Sequence, residues 1–463
     1  MRPAAIFAFI LSYIFASPAA ALGLKPHQQT LLEIYREMVE INTVHPHGNN
    51  TALAERAASR LRVAGFADKD IELVVPAANK GNLIARIGGS TSAKPMLLLA
   101  HIDVVDAQKS DWSEGLDPFK LTEKDGFYYG RGTADDKAMA AIFLDSMIRL
   151  KREGFTPKRD IILALTADEE GGTHNGIAHL LKNRRALIDA EFAINEGGGG
   201  SIRHGRPFAH HVQVSEKMYL TFDFEAINAG GHSSLPVRDN AIYALAGALD
   251  RLSRHDFAAV LNFVTRLGFT RLAAVETGAL ATAMEALSQN TASDEQLKLI
   301  SAEPRYNSLL RTTCVATRLE AGHADNALPQ RAKATVNCRL LPREDPDFVR
   351  AELQKLAGEK VRVTMRGMVR PSEPTDAQSA VFKTIVRISE SMWPGVPVIP
   401  VMSAGATDGS RLRNDGIPTY GTSGIFYEFG ESRIHGKDER VMVRSFYEGQ
   451  EYLYRLIKAL AMK

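Results

Sequence analysis

The chain has 463 residues, 45% hydrophobic and 24% charged, an ordinary globular composition with room for two domains. Its 56 basic and 54 acidic residues leave a net charge of +2. No basic stripe dominates, which argues against nucleic acid as a partner.

The chain opens with Arg2, an apolar run over 6–16 and Ala19–Ala20–Ala21. This pattern reads as a cleaved export signal over 1–21. The apolar stretch is shorter than the roughly 20 residues of a membrane span. The expectation is an exported protein, periplasmic or secreted, with no stable membrane anchor.

From about Gly23 to Val212 strand and helix patterns alternate. Residues 31–44 and 50–65 carry apolar residues at helical spacing, as do 138–154. Asn82–Ile87, Met96–Ala100 and Ile161–Thr166 are short apolar runs of strand character. The alternation predicts an α/β domain with a mostly buried sheet between helices. Near Lys217 the texture changes. Tyr219–Ala226 alternates as a half-buried strand, and helices are expected at 241–253 and through 257–300. Strands at 308–319 and 331–340 precede a helix at 347–357 and a strand at 360–365. This reads as an inserted α+β unit over 216–370, between catalytic segments 22–215 and 371–463. Cys314 and Cys338 lie in the two strand-like runs. Antiparallel pairing would let them face each other; two buried thiols are the alternative.

Histidine and carboxylate groups recur where the apolar runs stop, and α/β proteins place their chemistry at such strand ends. His101 and Asp103 close one run, and residues two apart share a face of a strand. His101 suits a metal, while Asp103 suits a supporting carboxylate that fixes the imidazole. Asp135 sits in a glycine-bracketed turn before a helix, and a carboxylate there can bridge two cations. Asp136 beside it reads as a helix cap or a solvated acid. Glu169 and Glu170 close a second apolar run, so one can bind metal while the other faces water. Glu196 closes a third, ahead of a glycine run that reads as a flexible loop over Gly198–Gly200. His435 lies far downstream. Taken singly, each has a bland reading as an ion pair, a cap or a surface acid. Together, two imidazoles and several carboxylates are what a two-metal hydrolytic site needs.

The ordered set H-x-D at 101, G-R-G-x-x-D-D-K at 130, D-E-E at 168, N-E-G-G at 195 and H-G-x-x-E at 435 resembles the M20 family of metallopeptidases. That group includes carboxypeptidase G, aminoacylase and succinyl-diaminopimelate desuccinylase. The likeness extends through Gly230–Pro236, Asn326–Pro329, Cys338–Pro342 and Gly405–Asp408. It departs at Ala138, where glycine is usual, and at Asp438, where asparagine is usual. The resemblance implies a zinc-peptidase-like catalytic domain with a mixed sheet, and an inserted lid or dimerisation domain. It implies two zinc ions per chain, with cobalt or manganese as substitutes. His101, Glu196 and bridging Asp135 would hold one, and His435, Glu170 and Asp135 the other. Glu169 would be the general base and Asp103 the orienter of His101. His232 would stabilise the oxyanion from across a homodimer interface. Asn326 and Arg339 would hold the substrate carboxylate or carbonyl, and Gly405 and Thr407 would line the pocket. The activity implied is cleavage of an N-acyl amino acid or short peptide with a free carboxylate. A dipeptidase is the alternative within the family. A non-catalytic metal- or peptide-binding protein on the same scaffold is the alternative outside it.

Overall fold

Met96–His101 lies between Ile161–Thr166 and Phe192–Asn195 and runs parallel to both. Every residue of all three strands is buried, as expected of parallel strands covered on both faces. In the computed structural model the described residues are 23–463 apart from Pro46 and Ser432, so the export signal read over 1–21 lies outside them.

These strands are the centre of a ten-stranded mixed sheet. On one side it continues through Asn82–Ile87 to Ile71–Val74. On the other, Thr419–Gly421 pairs with Phe192–Asn195 and then with Arg206–Glu216. Gly200–Arg203 and Phe426–Glu428 follow, and Val398–Ser403 also pairs with Arg206–Glu216. The C-terminal segment thus supplies strands to the sheet that the N-terminal half begins. Pro26–Glu40, Lys137–Arg152 and Val443–Ala461 pack on one face. Gly176–Asn183 and Asp408–Asn414 contribute to the core on the other. Lys137–Arg152 is buried almost all round, which suits its alanine, methionine and leucine content.

A second sheet has four antiparallel strands in the order Thr313–Ala321, Arg331–Leu340, Met218–Ile227, Val361–Arg366. Burial alternates strictly along Arg331–Leu340, so one face carries the core. Ala241–Ser253 and Pro346–Ala357 cover that face. Cys314 and Cys338 are direct register partners and are joined by a disulfide.

Two readings need correction. Residues 308–310, expected to open the strand at 308–319, instead end the helix Pro304–Leu310, and the strand begins at Thr313. Pro304 is compatible with a first helical turn, and the Glu303 carboxylate accepts the Arg305 N–H at 3.4 Å. The helices at Phe263–Ala273, Gly278–Ser288, Asp294–Ser301 and Pro304–Leu310 also do not share the small sheet's core. Phe269, Met284, Ile300 and Leu310 cluster with Ala209 and Ile399, so this stretch of 216–370 covers the edge of the large sheet.

Candidate metal centre

The three parallel strands end together, and their C-terminal ends deliver His101, the Glu169–Glu170 pair and Glu196 to one edge of the sheet. Asp135 stands between two imidazoles. Its Oδ1 lies 2.9 Å from His101 Nε2, and its Oδ2 lies 3.2 Å from His435 Nε2. Glu196 Oε1 is 3.8 Å from His101 Nε2, and Glu170 Oε1 is 2.9 Å from His435 Nε2. Two triads result, His101–Asp135–Glu196 and Asp135–Glu170–His435, each with ligand atoms within 4.8 Å of one another.

Tertiary contacts set these side chains. The Asp103 carbonyl is 3.1 Å from His101 Nδ1, which leaves Nε2 facing Asp135. The Asp103 carboxylate is 3.6 Å from that Nδ1 and is committed elsewhere. It accepts the backbone N–H groups of Glu169 at 3.1 Å and Glu170 at 3.0 Å. Asp103 therefore braces both the imidazole and the loop with the paired glutamates. The Asp135 turn depends on Gly132, at φ +85, where a Cβ would lie 2.9 Å from both Lys137 Cδ and Val104 Cγ1. Asp438 accepts the Ser113 N–H at 2.9 Å and its hydroxyl at 2.6 Å, so a carboxylate at this position anchors the segment behind His435. Ala138 is buried in the first turn of its helix.

The charge balance fits cations. Among the described residues, Asp135, Glu170 and Glu196 pair with histidines and with no lysine or arginine. Burial pushes the Glu196 carboxyl well above the usual carboxylate range, against the pull of His101, and nearby Asp135 and Glu169 add to the rise. Glu169 is likewise pushed up by burial, against His101, with Asp408 and Glu170 adding to it. For Asp135 burial acts upward, but hydrogen bonds from His101 and His435 win and hold it low. His435 is pushed up to about 10 by its hydrogen bonds to Asp135 and Glu170. An all-nitrogen and oxygen donor set around excess buried negative charge suits a pair of divalent transition ions. Asp136 neither caps its helix nor meets water freely: it is buried, and its Oδ2 has no partner.

A family model described as Peptidase family M20/M25/M40 matches residues 97–459. The chain belongs to the M20 family. It is thus a metal-dependent hydrolase of peptide or amide bonds. Human N-fatty-acyl-amino acid synthase/hydrolase PM20D1 is 29% identical over 384 residues, covering 80% of this chain and 75% of that protein. Among solved structures, the M20 metallo-carboxypeptidase Sso-CP2 of Sulfolobus solfataricus superposes with a TM-score of 0.71 at 21% identity, covering 95% of this chain and all of that one. The YXEP protein of Bacillus subtilis, described as a dinuclear metal binding peptidase, does so with a TM-score of 0.57 at 14% identity, covering 94% of this chain and 98% of that one.

Within this M20 chain a cavity of about 700 Å³ opens beside the acidic cluster, with Asp135 and Glu196 in its wall. Phe127, Met139, Ile425, Phe426, Phe429 and Met442 make much of its lining apolar. Gly198–Gly200 also lines it and is no flexible loop. A Cβ at Gly198 would meet the Gly421 carbonyl at 2.2 Å, and one at Gly200 the Phe426 ring at 2.0 Å. Gly405 lines the cavity, whereas Thr407 stands just outside, caps Asp408–Asn414 and donates its N–H to Glu216 at 2.6 Å. His232, Asn326 and Arg339 are not in this wall. Gly231–His232 pairs with Ala327–Leu328, which sets His232 beside Asn326 on an exposed part of the small unit. Arg339 lies over the Tyr219 ring, 4.6 Å from its centroid. Sequence reasoning missed Glu439, which is buried and accepts the N–H groups of Gly132, Ala134 and Asp135 at 3.1, 2.7 and 3.2 Å. Its place four residues after His435 was the only signal available.

Proposed function

We propose that this protein is an exported dizinc amidohydrolase that splits an N-acyl amino acid, with a free carboxylate, into an acid and an amino acid. The observation that carries this reading is the pair of triads sharing Asp135 at the wall of a large, mainly apolar cavity. The cavity suits an apolar acyl group, and the relative PM20D1, named an N-fatty-acyl-amino acid synthase/hydrolase, agrees with such a substrate.

His101, Asp135 and Glu196 would hold one ion, and Asp135, Glu170 and His435 the other. Two ions there would supply Lewis acidity toward the scissile carbonyl and would acidify a water. Glu169 is the general base. It shares a loop with Glu170, and burial pushes its carboxyl well above the usual carboxylate range, which makes it a stronger base than an exposed glutamate. It takes the proton from the attacking water and returns it to the leaving amine. Arg339 offers a planar fork for the substrate carboxylate, and Asn326 a partner for the reacting group. His232 would donate to the oxyanion.

His232, Asn326 and Arg339 lie apart from the cavity, which favours their delivery by a second copy of the chain. Thr313–Ala321 is the outer strand of the small sheet, with Val315 60% and Leu319 63% exposed. An open apolar edge of this kind favours pairing with another strand. The Cys314–Cys338 bridge fits an oxidising compartment. Among the described residues no helix is long and apolar enough to cross a membrane.

The test is a hydrolysis screen of zinc-loaded protein on N-acyl amino acids of increasing acyl length, with carboxyl-amidated counterparts. Cleavage should improve with acyl length and fall on amidation. Glu169→Gln should abolish it with both metals retained. Absence of amide hydrolysis, or an active Glu169→Gln protein, would sink the proposal.

A further inference from the structure

Arg131 and Glu439 form a buried ion pair, with Nη1 2.7 Å from Oε2. The Glu439 carboxylate also takes three backbone N–H groups of the segment 132–135. On its other side, Arg131 Nη2 donates to the carbonyls of Gly436 at 3.0 Å and His435 at 3.4 Å. One ion pair therefore fastens the backbone of Asp135 to the backbone of His435, 300 residues away in the sequence. A buried ion pair is costly to desolvate, and an apolar contact would join two segments as well. An apolar contact cannot orient peptide groups, and here the pair bonds to peptide groups of both segments.

We propose that Arg131 and Glu439 are positioning residues, a latch that sets the affinity of the metal site formed by Asp135, Glu170 and His435. This rests on the two-metal reading above. The two sites depend on the latch unequally. His101 ends a strand of the central sheet and Glu196 directly follows another, so the sheet itself holds both of them. His435 sits outside any strand or helix, at φ +62, with its side chain half exposed. The site containing His435 therefore has two of three ligands on latched segments, and the site containing His101 has one.

The test is calorimetric titration of metal-free parent, Glu439→Gln and Arg131→Lys proteins with zinc, with melting curves of the metal-free forms. Glutamine turns a donor toward groups that donate, and lysine keeps the charge but loses the planar fork. The parent should take up two ions. Each variant should bind one ion within a few-fold of the parent and the other about 10–100-fold more weakly, the usual loss when a residue supporting a ligand is removed. Equal weakening of both ions, with a lower melting temperature of the metal-free form, would mean a general structural role and overturn the latch. Unchanged binding would overturn it too. If Glu439→Gln fails to fold, Arg131→Lys decides alone. A parent that binds fewer than two ions overturns the two-metal reading, and the latch with it.

Discussion

Asp103 holds Glu169 through its backbone, with the carboxylate 3.1 Å from the Glu169 nitrogen, while its carbonyl steadies His101 at 3.1 Å. The residue two beyond His101 thus also sets the loop that carries Glu169. Asp103→Ala should lower kcat/KM by about 10–100-fold, in the range for residues that support metal ligands. Asp103→Asn should recover part of the loss, since the amide oxygen can still accept one N–H. Wild-type rates for Asp103→Ala would show that the loop holds its shape without it.

Asp135 belongs to both triads, whereas His101 belongs to one. Elemental analysis of dialysed protein should find two transition ions per chain in the parent, about one in His101→Ala and close to none in Asp135→Ala. Retention of both ions by Asp135→Ala would contradict a bridging role.

Metal uptake should release protons. In the metal-free protein His435 is pushed up to about 10 by Asp135 and Glu170. His101 is raised as well: burial acts downward but is outweighed by Glu196, Asp103 and Asp135. His435 is therefore protonated at pH 7 and His101 is shifted toward its protonated form, and a metal binds only the neutral form. Apparent zinc affinity should climb as pH rises toward about 10. Calorimetry in buffers of different ionisation heat should show net proton release on zinc binding at neutral pH, His435 giving up its proton. Zinc binding with no proton exchange at neutral pH would refute this charge state.

His232 is exposed beside Asn326 and outside the cavity wall. If it acts across a dimer, His232→Ala should cost kcat on the order of 10²–10³-fold, as for other oxyanion donors. A His232→Ala chain mixed with a Glu169→Gln chain should regain activity, because each mixed dimer keeps one site with both groups. Subunit exchange without regained activity would place the role of His232 elsewhere.

The sequence makes the centre of this fold readable and its far side obscure, for physical reasons. Met96–His101 and Ile161–Thr166 are continuous apolar runs because they are buried on both faces, and their polar ends mark the site. Gly200–Arg203 was hidden because glycine there answers to the Phe426 ring, a neighbour supplied from far along the chain. The helices between 263 and 301 were readable as helices, but not their docking, because amphipathic spacing does not say which sheet a face will meet. The role of Glu439 was hidden for the same reason, although the residue closes the H-G-x-x-E pattern at 435. Its partners are backbone groups some 300 residues upstream, and no local pattern encodes them.

Thr419–Gly421 is wedged between Phe192–Asn195 and Arg206–Glu216, strands that leave the ribosome more than 200 residues earlier. Until the last tenth of the chain is made, those earlier strands have an empty slot between them and expose backbone edges to other chains. Such distant pairing is slow to form. Synthesis of this protein therefore includes a long interval in which a half-built sheet must be shielded from aggregation, and a chain stopped before residue 419 should remain a client of chaperones and proteases.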